Sequence, residues 1–503
     1  MAGAARRLTG LGALLALSLL APDLAARGQA PVTFRSQILE PLEQLNQDIT
    51  AATTAPGVQR ATWGIAVDSL DWDERVFELN PATRLVPAST VKLISVASAA
   101  EAVGWDFTFE TTVRATDGLV GGRLRGDLIV VGSGDPSIGG RGGQPLSAWV
   151  DALKAIGLRR VEGRVIGDDD AVEEPRPQLA WAWDDLGYQT GALFGALNLN
   201  ENQMVVTIAP GASTDSAPAL SVEPSAASRP IRNRTVTGPR GSPRLLWPEQ
   251  RPGEPFLTIA GSIPVGSGPA RLAISVGNPT AWFAATLRHA LIAGGIAVTG
   301  EAYDVDDVEA LPQTERRSML LLSHRSPTLA EIAQPTLKES INLYGEAILR
   351  LNAAQGGLPT NDAALEGLQT RLGDWGISPE AWHIVDGSGL SRRNAVAPEA
   401  LVAVLRRMYE PSGTSPWMTA LPIAGRDGSL AGRMKGTPAE NNVRAKTGTM
   451  TDVRTLAGYL RTRDGETLAF AILLNNFEGS SAEATAAVDR IVVHLAGFSR
   501  GAK

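Results

Sequence analysis

Three short motifs sit far apart in this chain and in fixed order: Ser89-Thr90-Val91-Lys92, Ser340-Ile341-Asn342 and Lys446-Thr447-Gly448-Thr449. If they serve one site, the fold must join an early helix start to a late strand. The chain has 503 residues, more than one compact core usually holds. The pattern therefore predicts one α/β domain split in sequence, with roughly 200 residues inserted between its halves.

The residues around each motif support that reading. Arg60 to Ser69 with Glu74 to Leu79 reads as a β-hairpin turning at Asp71-Trp72-Asp73. From Ser89 to about Val103 the apolar spacing is helical, and Gly104 ends it. Phe107 to Gly134 reads as strands, Leu146 to Ile156 as a helix and Val161 to Ile166 as a strand. Residues 173 to 255 are rich in Pro, Ser and Arg, and read as irregular with short strands. Strands follow at Leu257 to Ala260, Arg271 to Val276 and Ile296 to Thr299, with a helix over Thr280 to Gly294. Thr328 to Leu351 reads as two helices broken at Pro335. Further helices are expected over Ala363 to Trp375 and Pro398 to Tyr409. Strands over Val443 to Thr447, Thr455 to Thr462 and Thr467 to Asn475, then a helix over Ala482 to Leu495, close the chain.

The expected division is a catalytic domain at 31–106 and 320–503, an inserted domain at 107–172 and 256–319, and a second inserted lobe at 173–255. No internal repeat is visible.

Lysine is scarce. Of 46 lysines and arginines only six are lysine, which leaves 40 arginines. Arginine keeps its proton in a protein, whereas a buried lysine can lose it. Lys92 and Lys446 therefore read as positions that need an amine. A serine hydroxyl is a weak nucleophile without an adjacent base. Ser89 at a helix start puts Lys92 one turn on, on the same face. Burial and a neighbouring cation such as Lys446 would keep Lys92 neutral enough to take the proton. Backbone N–H groups at the helix start favour a developing oxyanion. Ser340 and Asn342, two apart, are expected to face one side in an extended or loop segment. There the hydroxyl relays a proton and the amide holds substrate. Lys446-Thr447-Gly448-Thr449 fits a strand edge where Gly448 admits an extended peptide. Lys446 and the hydroxyls of Thr447 and Thr449 suit its carboxylate.

Composition narrows the class. Net charge is −7, and no basic stripe suggests nucleic acid. There is no cysteine, which excludes thiol catalysis, disulfides and Cys-ligated zinc. Arg6 and Arg7, the apolar run Leu8 to Ala21 and small residues at Ala25, Ala26 and Ala30 read as a secretory signal cleaved after Ala26. The run is too short to span a bilayer, so at most peripheral membrane association is expected. The four histidines, His289, His324, His383 and His494, are scattered and suggest neither a metal site nor a Ser-His-Asp triad. Asp168-Asp169-Asp170 reads as a solvated loop rather than a cation site.

With these motifs on the page, the chain resembles the Ser-x-x-Lys, Ser-x-Asn, Lys-Thr-Gly penicillin-binding superfamily. More narrowly it resembles the D-alanyl-D-alanine carboxypeptidase/endopeptidase family, the class C low-molecular-mass penicillin-binding proteins. Further matching strings are Gly132-Ser133-Gly134-Asp135-Pro136, Asp386-Gly387-Ser388-Gly389-Leu390-Ser391-Arg392 and Gly425-Arg426-Asp427-Gly428-Ser429-Leu430. The resemblance implies a serine β-lactamase/DD-peptidase-like fold, α/β of the α+β kind. An antiparallel sheet is flanked by helices and carries a large, mostly β insertion. It implies that Ser89 is acylated, that Lys92 is its base, and that Ser340, Asn342 and Lys446 complete the proton network. The oxyanion would be held by the N–H groups of Ser89 and Thr449. It also implies periplasmic or other extracytoplasmic action on peptidoglycan peptides, removal of a terminal D-Ala and often cleavage of cross-links. β-Lactams would act as covalent inhibitors, with no metal and no other cofactor.

Two other readings compete. A serine β-lactamase or esterase would share Ser89 and Lys92 but needs fast deacylation, and no Glu-x-x-Leu-Asn element lies between the first two motifs. A non-catalytic wall-binding protein would have no use for intact lysines and hydroxyls.

Overall fold

The computed structural model describes residues 33–224, 229–308, 318–353 and 358–501. The expected signal segment lies outside them. Among the described residues no helix is long and apolar enough to cross a membrane.

Both ends of the chain build one five-stranded antiparallel sheet. Its order is Glu74–Leu79, Thr62–Ser69, Thr467–Asn475, Val453–Arg461, Arg444–Met450. The strand carrying Lys446 is therefore at an edge. Alternation sorts the side chains. Leu468, Phe470, Ile472 and Leu474 pack with Ile491 and Leu495 of the closing helix Ser481–Gly497 and with Leu45 and Ile49 of the opening helix Thr33–Thr53. Ala469, Ala471 and Leu473 face the opposite core, which holds the helix Val91–Val103. Small alanines on that face let the helical layer approach closely. Each fully buried Leu, Ile or Phe contributes roughly 1.5–3 kcal/mol, so the two faces clamp the sheet that carries the third motif.

The expected α/β fold with an antiparallel sheet between helices, and with a mostly β insertion, is what the chain adopts. The opening helix Thr33–Thr53 has no counterpart among the expected elements. The expected irregular 173–255 region holds four strands, Gln203–Ala209, Ala219–Glu223, Ile231–Gly238 and Leu245–Glu249.

Strand pairing in the insertion does not follow the expected break at 255. Leu257–Pro264 pairs with Ile231–Gly238 and Leu245–Glu249, and Ala270–Ser275 pairs with Gln203–Ala209. Met319–Arg325 pairs with Glu110–Ala115, at the far side of the expected 319/320 boundary. One apolar cluster joins Val113, Trp149, Val206, Ile263 and Phe283 across both lobes.

One local expectation is corrected. The 328–351 segment does not break at Pro335, which sits inside the helix Leu329–Lys338. Thr328 and Glu331 form a capping box at its start, and Leu329, Ile332, Ala333 and Leu337 are buried along it. Packing and capping thus outweigh the lost N–H. The break falls at Ser340, whose φ of 64° lies in the left-handed region. The second helix, Asn342–Arg350, starts two residues later. Ser340 and Asn342 therefore do not share an extended segment. One sits on a strained corner and the other opens a helix.

Candidate active site

The corner, the helix start and the edge strand converge. Residues Ala88–Thr90 form a short 3₁₀ turn that runs into the helix Val91–Val103, with Ser89 at its mouth and Lys92 fully buried one turn on. Lys92 Nζ donates to Ser89 Oγ at 3.1 Å, to Asn342 Oδ1 at 2.8 Å and to the Ser388 carbonyl at 2.5 Å. Lys446, also fully buried, donates to Ser340 Oγ at 2.8 Å and to the Thr447 carbonyl at 2.8 Å. The site thus holds two hydroxyl–amine pairs, Ser89–Lys92 and Ser340–Lys446.

Burial disfavours charge on both amines. It brings Lys92 down to about 7, with the charges of Asp386 and Glu346 pulling the other way. It also holds Lys446 well below the ordinary lysine range, helped by repulsion from Lys92. Near pH 7 Lys92 can present a lone pair that an arginine could not.

A cleft of about 500 Å³ opens over the pair. Its walls include Ser89, Ser340, Asn342, Thr447 and Thr449 from the three motifs, and Gly389, Leu390 and Arg392 from the Asp386–Arg392 string. Thr190, Asp184 and Asp185 of the insertion close one side, and Asn342 Nδ2 donates to the Thr190 carbonyl at 2.8 Å. Gly448 is buried beneath the cleft floor. A Cβ there would lie 2.0 Å from Thr455 Oγ1 and 2.7 Å from the Pro87 carbonyl. Thr455 Oγ1 itself bonds that carbonyl at 2.8 Å and so ties the strand to the Ser89 turn. Gly448→Ala is expected to push the edge strand from the turn. Acylation by penicillin should slow more than about tenfold, at a cost of about 1–3 kcal/mol in stability. Stopped-flow acylation and a thermal melt check both.

All eight residues singled out by the motifs thus lie in or directly beneath one cleft. Arg392 and Arg393 are both exposed, and Arg392 lines the cleft and donates to the Thr451 carbonyl at 3.0 Å. None of the four histidines is among the lining residues. His324 is buried against Asp135 at 3.4 Å in the insertion. Trp181 and Trp282 are buried, and Trp183 is exposed.

The Asp168–Asp170 turn differs from its expected solvated loop, because Asp168 and Asp169 are buried. Burial raises the Asp169 carboxyl to about 6, opposed by a hydrogen bond from the Thr280 hydroxyl and reinforced by the charge of Asp304.

Sequence reasoning gave no role to four parts of the site. The Ser388 carbonyl reaches Lys92 from a turn whose glycines explain it equally well as plain geometry. Glu346 lies beneath that turn, and its signal was a lone acid four residues after Asn342 in an apolar run. Ser429 accepts from the Thr447 hydroxyl at 2.7 Å, and the Thr190 carbonyl holds Asn342. Both come from segments with no chemical spacing to the motifs.

Fold and cleft together define a serine peptidase of the Ser-x-x-Lys class. Residues 45–496 match the D-Ala-D-Ala carboxypeptidase 3 (S13) family, and the chain belongs to that family. It is 32% identical over 481 residues to a D-alanyl-D-alanine carboxypeptidase of Actinomadura sp., covering 91% of this chain and 85% of that one. It is 26% identical to the D-alanyl-D-alanine carboxypeptidase DacB of Haemophilus influenzae, over 84% and 86% of the two chains. The crystal structure of penicillin-binding protein 4 (dacB) from H. influenzae superposes with a TM-score of 0.75 at 24% identity, covering 90% of this chain and 97% of that one.

Proposed function

We propose that this chain is an exported DD-peptidase that forms an acyl-enzyme on Ser89 and removes the terminal D-Ala of peptidoglycan stem peptides. The observation that carries the reading is the buried amine of Lys92 at 3.1 Å from the Ser89 hydroxyl, with its proton affinity lowered to about 7. An amine that is half neutral near pH 7 is matched to general-base work there.

The substrate's extended C-terminus lies along residues 447–450, the part of the edge strand that lines the cleft beyond its bridge to Ile423 and offers backbone partners. The Thr447 and Thr449 hydroxyls and the Lys446 amine receive its carboxylate. Lys92 takes the Ser89 proton as Oγ attacks the carbonyl of the penultimate residue. The N–H groups of Ser89 and Thr449 hold the oxyanion. The Ser340 hydroxyl, held by Lys446, relays to the departing amine the proton that Lys92 took from Ser89, so Lys92 is neutral again as D-Ala leaves. Water then hydrolyses the Ser89 ester. The same exposed carbonyl-and-carboxylate pattern makes β-lactams covalent inhibitors, in line with the H. influenzae protein having been crystallised with one. Cleavage of D-Ala cross-links extends the same chemistry to a larger leaving amine.

The division this supports is a peptidase domain drawn from 31–106 and from the residues after Arg325, with the inserted residues, Met319–Arg325 among them, as lobes that wall the cleft. The basic start and short apolar run before Ala26 support export to the periplasm or another extracytoplasmic space.

The test is a steady-state assay with a D-Ala-D-Ala pentapeptide and with penicillin. Expected are D-Ala release, a stoichiometric penicillin burst and slow release of the adduct. Below pH 7, kcat/KM for D-Ala release should fall about tenfold per pH unit as Lys92 takes up its proton. Rapid turnover of penicillin without D-Ala release would reassign the protein as a β-lactamase, and no acylation at all would make it a binding protein.

A further inference from the structure

Glu346 lies under the site with no role in the proton path above. It projects from the helix Asn342–Arg350 one turn after Asn342 and is fully buried. Its Oε1 accepts the Ser388 N–H at 2.9 Å, and the carbonyl of that same residue accepts Lys92 Nζ at 2.5 Å. One residue's backbone thus links acid and amine. The link requires the turn to lie directly on the helix, since a Cβ at Gly387 would stand 2.3 Å from the Gly345 carbonyl. Gly345 in turn leaves room for the Lys92 stem, 3.2 Å from where its own Cβ would be. The second oxygen, Oε2, is buried without a hydrogen-bond partner, and the nearest cation is Arg350 Nη1 at 3.8 Å.

An unpaired buried carboxylate oxygen is costly and asks for a reason. We propose that Glu346 is a positioning residue for the acylation step: it fixes the Lys92 amine through Ser388 and balances the ammonium that forms when Lys92 takes the Ser89 proton.

The surrounding charges fit this. Asp386, across the turn, is saturated by four donors, Gly389 N, Ser391 N, Asn394 Nδ2 and Trp181 Nε1, at 2.6–2.8 Å. Burial and the charge of Asp386 lift the Glu346 carboxyl to about 7, opposed by Arg350, on which Glu173 and Arg176 also act. Lys92 faces Glu346 and Asp386 from below and Lys446 from the strand side. When Oγ bonds the substrate carbon and the O–H proton moves to Nζ, the new ammonium stands beside the Glu346 and Asp386 side chains rather than in a bare apolar pocket. The Glu346 charge raises the proton affinity of Lys92 and so helps to place its acidic limb.

This inference rests on Lys92 being the base of the reading above. Penicillin labelling of Ser89 in the wild type tests that reading by itself, whereas the following variants leave both residues in place. Glu346→Gln keeps an acceptor for Ser388 and removes the charge. Its kcat for D-Ala release should fall about tenfold with KM within about twofold, and its acidic limb should move down by about half a pH unit or more, because a carboxylate no longer raises Lys92. Loss of activity with an unmoved limb would mean a purely structural role and would overturn the proposal, as would a wild-type kcat. If Glu346→Gln does not fold, Glu346→Asp is read instead. It keeps the charge one methylene short, so a limb left in place with kcat lowered several-fold supports the proposal, and an acid-shifted limb or an unchanged kcat overturns it.

Discussion

Ser89→Ala should abolish covalent labelling by penicillin and lower D-Ala release by roughly 10³-fold or more, while the protein stays folded. The site contains a second hydroxyl–amine pair, so this outcome is not trivial. Ser340 stands 2.8 Å from Lys446 and also lines the cleft. What separates the two serines is their backbone. Ser89 begins a helix, with N–H groups behind it that favour a developing negative charge. Ser340 sits instead on a left-handed corner, outside both the helix that ends at Lys338 and the one that begins at Asn342. Removing the Ser89 hydroxyl leaves Lys92 its bonds to Asn342 and Ser388, so stability should change by no more than about 1 kcal/mol. Intact-protein mass spectrometry with peptide mapping reads the result. An adduct that persists in the variant, mapped to the peptide holding Ser340, would exchange the roles of the two pairs.

The motifs announced the chemistry because it demands rare residues at short spacings. A hydroxyl three before an amine on a helix face, and an amine before a glycine on a strand, are local patterns, and each landed where its local structure implied. What stayed hidden is set by contacts between distant segments. Ser388 offers a carbonyl, which carries no sequence signal, and it reaches Lys92 across 296 residues of chain. Thr190 does the same for Asn342 across 152. Glu346 is visible only once the helix and the Asp386 turn are known to touch. The Pro335 expectation failed for a related reason. Proline's intrinsic cost is a local term, whereas the capping box at Thr328 and the buried face of Leu329, Ile332 and Leu337 decide the helix by packing. The insertion was legible as β-rich, but not its pairing. Nothing in the sequence of Met319–Arg325 says that its partner lies at Glu110–Ala115, about 200 residues earlier.

Lys92→Arg is the sharpest test of why the site uses an amine. Charge is conserved in the ordinary sense, yet acylation should fall roughly 10³-fold or more, because a guanidinium keeps its proton throughout the working pH range and has no lone pair for the Ser89 hydrogen. Raising the pH from 7 to 9 should not restore the rate, whereas the wild type rises to its plateau as an amine titrating near 7 is emptied. Size adds a second cost. The Lys92 slot is fully buried and walled by Asn342, Ser388 and the close backbone at Gly345, so the wider fork should destabilise the fold by about 1–3 kcal/mol. Lys92→Met separates the two effects. It fills the stem's volume without an amine or a charge, and it should melt close to the wild type yet fail to acylate. Stopped-flow penicillin acylation of both variants between pH 7 and 9 decides the matter. Substantial acylation by Lys92→Arg would move the base to Lys446, the site's second buried amine, whose proton affinity burial also holds well below the ordinary lysine range.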